Sequence, residues 1–431
     1  MAGTSHLRTL QALLPQRAAQ LWYVPLAGTA MVLMFARLLL YAAWLDAPQF
    51  AVLSAGLLVS GLLGMLACLG LQPLAQRDFP ILAVKGRSRA GVVLLLQSAQ
   101  VAVVLTLLGG LATLAGAAWP GLSRGQAQVA LLHGLAQQLF LLYTVESRSH
   151  GKPITFAWQS LARASTLVAA GGLAAWSTRD ATSTLLAETL ACTVVMAFLT
   201  PSLAQRNRIH LWPALVLAIR RMPHIRWQPA GLLLAAGALA YLQTSADRWV
   251  ANSVLGPEGF AAYSFAWILL LAAGQAQVII NSAAFPWMAR RVARAGSAAA
   301  FASTSLLSIL TLLLGAVTMV PVLLMAYWAV PLYWPHLAAS VRLLPLFAIC
   351  AVLRVSDFWS SFLVVSGNER RLLASSLIGT VVVLGVALLL LARQKTPLTP
   401  LDVAWLPVLL TVAAYTASLL ACLGAPKVNT C

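Results

Sequence analysis

Long, predominantly apolar stretches follow one another from one end of this chain to the other, and that succession most restricts the structures open to it. A bilayer core about 30 Å thick is crossed by about 20 apolar residues of helix. With no water at that depth, every backbone N–H and C=O must be bonded inside the segment, which a helix does one segment at a time. With 61% hydrophobic and 9% charged residues among 431, little length remains for a soluble domain. The sequence predicts an all-α polytopic membrane protein.

Apolar runs set against polar breaks give twelve predicted spans. The first six are Trp22 to Leu45, Gln49 to Ala75, Gly91 to Trp119, Gln126 to Val145, Pro153 to Trp176 and Thr184 to Leu203. After a polar stretch come Ala230 to Leu255, Phe260 to Phe285, Ala299 to Trp328, Leu337 to Ser366, Leu372 to Leu391 and Val403 to Leu423. The first run is too long for the apolar core of a cleavable signal peptide and has no clear small-residue cleavage site after it, so it reads as a span.

Every second connection carries the cations. They are Arg77, Lys85, Arg87 and Arg89; Arg148 and Lys152; Arg206, Arg208, Arg220, Arg221 and Arg226; Arg290, Arg291 and Arg294; Arg370 and Arg371. With Arg8, Arg17 and Lys427, one side holds 19 of the 28 basic residues, against Arg124, Arg179, Arg393 and Lys395 on the other. The positive-inside rule makes that side cytoplasmic, so both termini of this inner-membrane protein are expected in the cytoplasm. The net charge of +18 is scattered over these loops rather than gathered on one domain, which argues against nucleic acid as a partner.

The longest break, Gln205 to Gln228, mixes basic residues with Trp212, Leu215, Leu217 and Ile219, as in an amphipathic helix at an anionic headgroup surface. It divides the chain into an expected bundle over 1–203, a cytoplasmic linker over 204–229 and a second bundle over 230–431. Pro48, Gln49, Phe50, Ala51 and Ser54 open span two, and Pro257, Glu258, Phe260, Ala261 and Ser264 open span eight, with Gly259 as one extra residue. Arg37 falls within two residues of the position matching Asp247 and Arg248. Six spans per repeat give both repeats one orientation. The expectation is two pseudo-symmetric six-helix bundles about an axis along the membrane normal, with a central cavity.

Ionisable groups within spans are costly, about 2.5 to 3.5 kcal/mol each on insertion scales, and face a bundle interior or an aqueous cavity. Arg163 stands out because about ten helical residues from the span end correspond to about 15 Å, the bilayer midplane. Arg37, Asp247 and Arg248 are further cavity candidates, Asp247 also for ion coupling. Arg354 and Asp357, three residues apart, share a helix face and read as a neutralising intrahelical pair, with substrate contact and, for Asp357, ion coupling as the other readings. Arg342 and Glu188 lie nearer their span ends. Gln97 and Gln100, and His133 and Gln137 one turn apart, could line a polar path or bond helix to helix. Trp22, Trp44, Trp119, Trp176, Trp328 and Trp405 fall near span ends, as in an aromatic belt; Trp158, beside Gln159 and one turn before Arg163, is the one that invites a sugar-stacking role. The five cysteines form no CxxC spacing, and neither a metal site nor a cofactor is indicated.

The run from Asp247 and Arg248 through Leu255, Gly256, Pro257 and Glu258, then Phe260, Tyr263 and Ser264, with Pro286 after the next span, carries a resemblance. Its first-repeat counterpart is Arg37, Leu38 and Leu39, Pro48, Gln49 and Phe50, Leu69, Gly70 and Leu71, then Arg77. These stretches resemble the polysaccharide and lipid-linked oligosaccharide (O-antigen flippase-like) transporters of the multidrug/oligosaccharidyl-lipid/polysaccharide exporter superfamily. Two positions depart from that pattern: Ala51 follows Phe50, and Ala47 stands where the second repeat has Gly256.

The resemblance implies two six-helix bundles that open alternately to each side and move an undecaprenyl-diphosphate-linked glycan outward for surface polysaccharide biosynthesis. Membrane lipids and a glycan polymerase or ligase are the implied partners. The residue chemistry agrees, because buried arginines bind diphosphates and acidic sugars through planar, multidentate hydrogen bonds. An ion-coupled multidrug or small-molecule exporter of the same superfamily is the alternative, although it would be expected to present an acidic cavity. A membrane glycosyltransferase or glycan polymerase would need positioned acids, bases or metal ligands, commonly on a sizeable loop, and a non-transporting scaffold is the remaining reading.

Overall fold

The computed structural model describes residues 3–149, 153–207, 209–393 and 398–424; Lys152, Arg208, Lys395, Lys427 and Cys431 lie outside them, as do the side chains of Arg8, Arg17, Pro286 and Arg393. The chain is an all-α polytopic membrane protein. Its helices are α1 (Gly3–Trp44), α2 (Ala47–Leu66), α3 (Leu71–Val84), α4 (Ser88–Leu114), α5 (Arg124–Ser149), α6 (Pro153–Thr178) and α7 (Ala181–Asn207). They continue with α8 (Leu211–Arg220), α9 (Trp227–Val254), α10 (Pro257–Tyr333), α11 (Leu344–Ser356), α12 (Phe358–Val365), α13 (Glu369–Arg393) and α14 (Pro400–Leu423).

Nine segments among the described residues are long and apolar enough to cross a membrane: parts or all of α1, α2, α4, α7, both arms of α10, α11 with α12, α13 and α14. The remaining long helices, α5, α6 and α9, are the ones that carry His133 and Gln137, Gln159 and Arg163, and Asp247 and Arg248. Their polarity is what a helix facing a bundle interior permits.

Four predicted spans differ from what forms, at three places. Span two was expected to run to Ala75, but α2 ends at Leu66 and the chain turns through Leu69 and Gly70, with φ of 46° and 80°. A Cβ at position 70 would lie 1.9 Å from the Ala230 carbonyl oxygen, so only glycine fits this turn. Spans eight and nine are the two arms of α10, which meet at Gly296 (φ 77°, ψ 169°) rather than across a loop. Span ten is broken: a 3-10 segment, Pro335–Arg342, leads into α11, and Asp357 (φ −78°, ψ 81°) separates α11 from α12. At Gly70 and Asp357 the break falls inside a predicted span and comes from backbone conformation, whereas Gly296 falls in the polar stretch that follows Arg290, Arg291 and Arg294.

The helices group into two compact units, one of residues 1–45 and 55–238, the other of residues 46–54 and 239–431. In the first unit α1 packs on α6, α6 on α7, both α7 and α4 on α5, and α3 on α4. The expected amphipathic segment forms α8, which exposes Trp212, Leu217 and Ile219 and buries Ala218. Gln97 and Gln100 of α4 bond helix to helix here: their amides donate to the carbonyls of Ala218 (3.4 Å) and Leu215 (3.1 Å) of α8. Ala218 lies in the last turn, whose carbonyls lack intrahelical donors.

In the second unit α10 packs on α11 and α12, α11 on α14 and α13 on α14. The repeat seen in the sequence has a physical counterpart. Phe50 N–H donates to Asp46 (2.8 Å) as Phe260 N–H donates to Gly256 (2.9 Å), and Phe50, Ser54, Phe260 and Ser264 are all buried. These first turns match without the extra residue at Gly259, which corrects the register: Asp46, not Ala47, stands opposite Gly256. Arg37 then matches Asp247 itself.

Candidate functional site

In the first unit, burial of one carboxylate organises everything around it. Glu188 of α7 is fully buried, and it accepts hydrogen bonds from Arg37 Nη1 of α1 (2.9 Å) and Tyr41 Oη of α1 (2.5 Å) and faces His133 Nε2 of α5 (2.9 Å). A carboxylate taken out of water needs such saturation, since an unpaired charge at this depth would be severely destabilising. His133 Nδ1 lies 3.0 Å from Ser60 Oγ of α2, whose own proton is directed at the carbonyls of Ala130 (2.7 Å) and Gly56 (2.9 Å). The two ring nitrogens thus bridge Ser60 of α2 and Glu188 of α7.

Glycines bring these helices close enough for the network to close. A Cβ on Gly134, beside His133, would lie 3.0 Å from the Ser60 Cα, and one on Gly56 would lie 2.6 Å from Leu185 Cδ1. A Cβ on Gly171 of α6 would lie 2.0 Å from the Tyr41 hydroxyl and 2.9 Å from Glu188 Cγ. Small residues at such contacts are the usual means by which membrane helices approach closely.

The network opens into a cavity of about 350 Å³. Arg37, His133, Gln137 and Ser60 line it, together with Gln72 and Gln138, whose amides bond to each other at 2.8 Å. Gln137 Nε2 lies 3.2 Å from His133 Nε2, and its Oε1 is buried without a partner. The lining offers cationic, amide and hydroxyl groups but no carboxylate side chain, because Glu188 sits behind Arg37 and His133.

Arg163 of α6 lies beside this network rather than in the cavity wall. Its guanidinium stands over the Phe140 ring at 4.8 Å, within an apolar cluster of Ala136, Phe140, Leu167 and Cys192, and its Nε is buried without an acceptor. Glu188 and Arg37 are close enough for their charges to act on it. Trp158 is 56% exposed on α6 and stands outside the set; its neighbour Gln159 is the buried one, accepting from Ser147 (2.9 Å).

The second unit distributes its charges. Asp247 of α9 is buried and accepts from Tyr263 Oη of α10 (2.8 Å), with the charges of Arg354 and Arg248 acting on it. Arg248 turns elsewhere, donating to the Ser54 carbonyl (3.2 Å) and stacking over Trp267 at 4.3 Å, with Nε unpartnered. The expected pairing of Arg354 with Asp357 does not occur, because the helix breaks between them. Arg354 Nε reaches Thr411 Oγ1 (3.4 Å), while Asp357 caps α12, accepting from Ser360 N–H (3.2 Å) and Ser418 Oγ (3.0 Å).

Glu188, Tyr41, Ser60, Gln72 and Gln138 are the site residues that the sequence reading did not select as candidates. The available signal was that Glu188 is the sole acidic residue within predicted span six. Among the described residues no cluster of His, Cys, Asp and Glu is placed to hold a metal ion.

No known protein family matches the chain, and no curated protein matches it in sequence. Solved structures do match. An inward-facing multidrug resistance MATE family transporter of the MOP superfamily superposes with a TM-score of 0.67 at 14% identity, covering 92% of this chain and 97% of the other. The MATE transporter VcmN of Vibrio cholerae gives 0.57 at 14% identity over 94% and 96%. The lipid II flippase MurJ, in an inward closed conformation, gives 0.58 at 13% identity over 93% and 87%. The chain has the fold that these transporters share.

Proposed function

We propose that this chain is a transporter that flips an anionic lipid-linked oligosaccharide, carried on undecaprenyl diphosphate, across the bacterial inner membrane by alternating access, with no covalent step. The observation that carries the reading is a surplus of buried guanidinium groups with unused donors. Arg37, Arg163 and Arg248 each hold a buried Nε without an acceptor. Unsatisfied buried donors are costly, and a diphosphate offers acceptor oxygens in the planar geometry that guanidinium groups match.

In this reading the cation-rich face is cytoplasmic, the bundles over 1–203 and 230–431 rock about the linker over 204–229, and the polyprenyl tail stays in lipid. The glycan head meets Arg37, His133 and Gln137, with Arg163 behind them. Asp247 is the better placed of the two coupling candidates, since Asp357 is engaged as a helix cap. A glycan polymerase or ligase would act on the delivered product.

Ion-coupled export of small molecules or drugs is the second reading, favoured by the MATE transporters among the structural neighbours. The test is lipid-linked oligosaccharide in cells lacking the protein, with its leaflet assigned by an impermeant probe. Accumulation on the cytoplasmic side, reversed by restoring the gene, is expected; unchanged glycan intermediates would overturn the proposal in favour of small-molecule export. Arg163→Ala is expected to abolish export at unchanged protein abundance, and Arg163→Lys to rescue it only in part, because lysine lacks the planar fork.

A further inference from the structure

A second cavity lies at the end of the first unit that carries the α3–α4 turn. Its volume is about 560 Å³, within the range of ligand pockets, and its walls include Gly86, Arg87, Ser88, Arg89, Arg206 and Asn207. Residues far apart in sequence thus bring three guanidinium groups to one concavity. Other cations of this unit have a carboxylate to share: Arg77 and Arg226 lie 2.8 Å and 3.8 Å from the Asp78 carboxylate. Arg87 and Arg89 have no carboxylate within ion-pair distance among the described residues. Arg206 reaches the buried Glu146 at 3.5 Å, and Asn207 bonds the same carboxylate at 3.5 Å and the Leu203 carbonyl at 3.0 Å, which fixes the floor.

The local electrostatics are unfavourable as they stand. Arg87 occupies the N-cap of α4 without a side-chain cap, and Arg89 lies in its first turn, where the positive end of the helix dipole adds to their charge. Helix starts favour Ser, Thr, Asp or Asn at that position instead. An anion in the cavity is attracted both by these guanidinium groups and by the helix start, and so offsets their mutual repulsion.

We infer that this cavity is a binding site for a phosphate-bearing anion, held by the guanidinium groups of Arg87, Arg89 and Arg206. The phosphate belongs either to an anionic lipid headgroup at the membrane surface or to a soluble phosphate. The inference is independent of the transported substrate, and its test needs no export assay.

The full chain is purified in neutral detergent with phosphatidylglycerol added, and retained lipid is counted by native mass spectrometry. Binding of inorganic pyrophosphate is measured by calorimetry in phosphatidylcholine nanodiscs. Arg87→Gln with Arg89→Gln is the test variant, both residues being exposed and outside the packed core; Arg220→Gln with Arg221→Gln, on the same face outside the cavity, is the control. One retained phosphatidylglycerol, lost about tenfold or more in the test variant and kept in the control, identifies a headgroup site. Pyrophosphate binding lost in the same pattern, without lipid retention, identifies a soluble phosphate. Equal losses in test and control, no loss in either, or no binding by the wild-type chain overturns the inference, leaving a diffuse basic face.

Discussion

The two units meet the same problem, charge buried inside a helical bundle, in opposite ways. The first concentrates: one carboxylate, Glu188, gathers Arg37, Tyr41 and His133 within 2.9 Å. The second disperses: Asp247 has its bond from Tyr263, Arg248 lies on Trp267, and Arg354 reaches Thr411. Matched positions even carry opposite signs, since Arg37 and Asp247 stand equally far upstream of Asp46 and Gly256. The difference teaches that the repeat preserves helix starts and packing, while the charge network is built separately in each half. A concentrated network is redundant in its donors but depends on its central acceptor; a dispersed one has no centre and little redundancy.

That contrast can be broken most directly at Glu188. Glu188→Ala strands the Arg37 charge and is expected to cost about 3 to 5 kcal/mol of unfolding free energy, measured by denaturant titration in micelles. The double variant Arg37→Met with Glu188→Leu is expected to recover most of that loss, and a double variant no better than the single one would contradict a pairing cost. Next in size is Tyr263→Phe, which removes the hydroxyl donor of a buried carboxylate and is expected to cost about 1.5 to 3 kcal/mol. The same change at Tyr41→Phe is expected to cost only about 1 kcal/mol, because Glu188 keeps Arg37 and His133. Equal losses at the two tyrosines would remove the claim of redundancy. Smallest of all, Trp158→Ala is expected to stay within about 0.5 kcal/mol of wild type and to leave export unchanged, as suits an exposed position outside the network.

Much of the fold was legible because apolar length is a one-dimensional property. The spans, and the polar character of α5, α6 and α9, follow from the residues themselves. The breaks were legible only in part. Gly296 falls in the polar stretch already read between spans eight and nine. Leu69 and Asp357 interrupt helices through backbone angles that no hydropathy profile contains, and Asp357 thereby escapes the helical spacing that predicted its pairing with Arg354. In the candidate site, Arg37, His133 and Gln137 were readable as polar residues in apolar surroundings. Their common partner was not, because Glu188 meets Arg37 across 151 residues of chain and lies near a span end in sequence. Arg163 was readable as buried, but its place over Phe140 required three dimensions.

Gly171 carries a consequence for how sequences of this kind can drift. The Tyr41 hydroxyl occupies the volume where any side chain at 171 would begin. Two positions on different helices are therefore locked to one another through a third, Glu188, and single-step replacement of the glycine is closed while the tyrosine remains. An evolving lineage must shrink position 41 first and enlarge position 171 second, never the reverse. A collection of descendants would record that order as a forbidden combination rather than as two independently invariant sites.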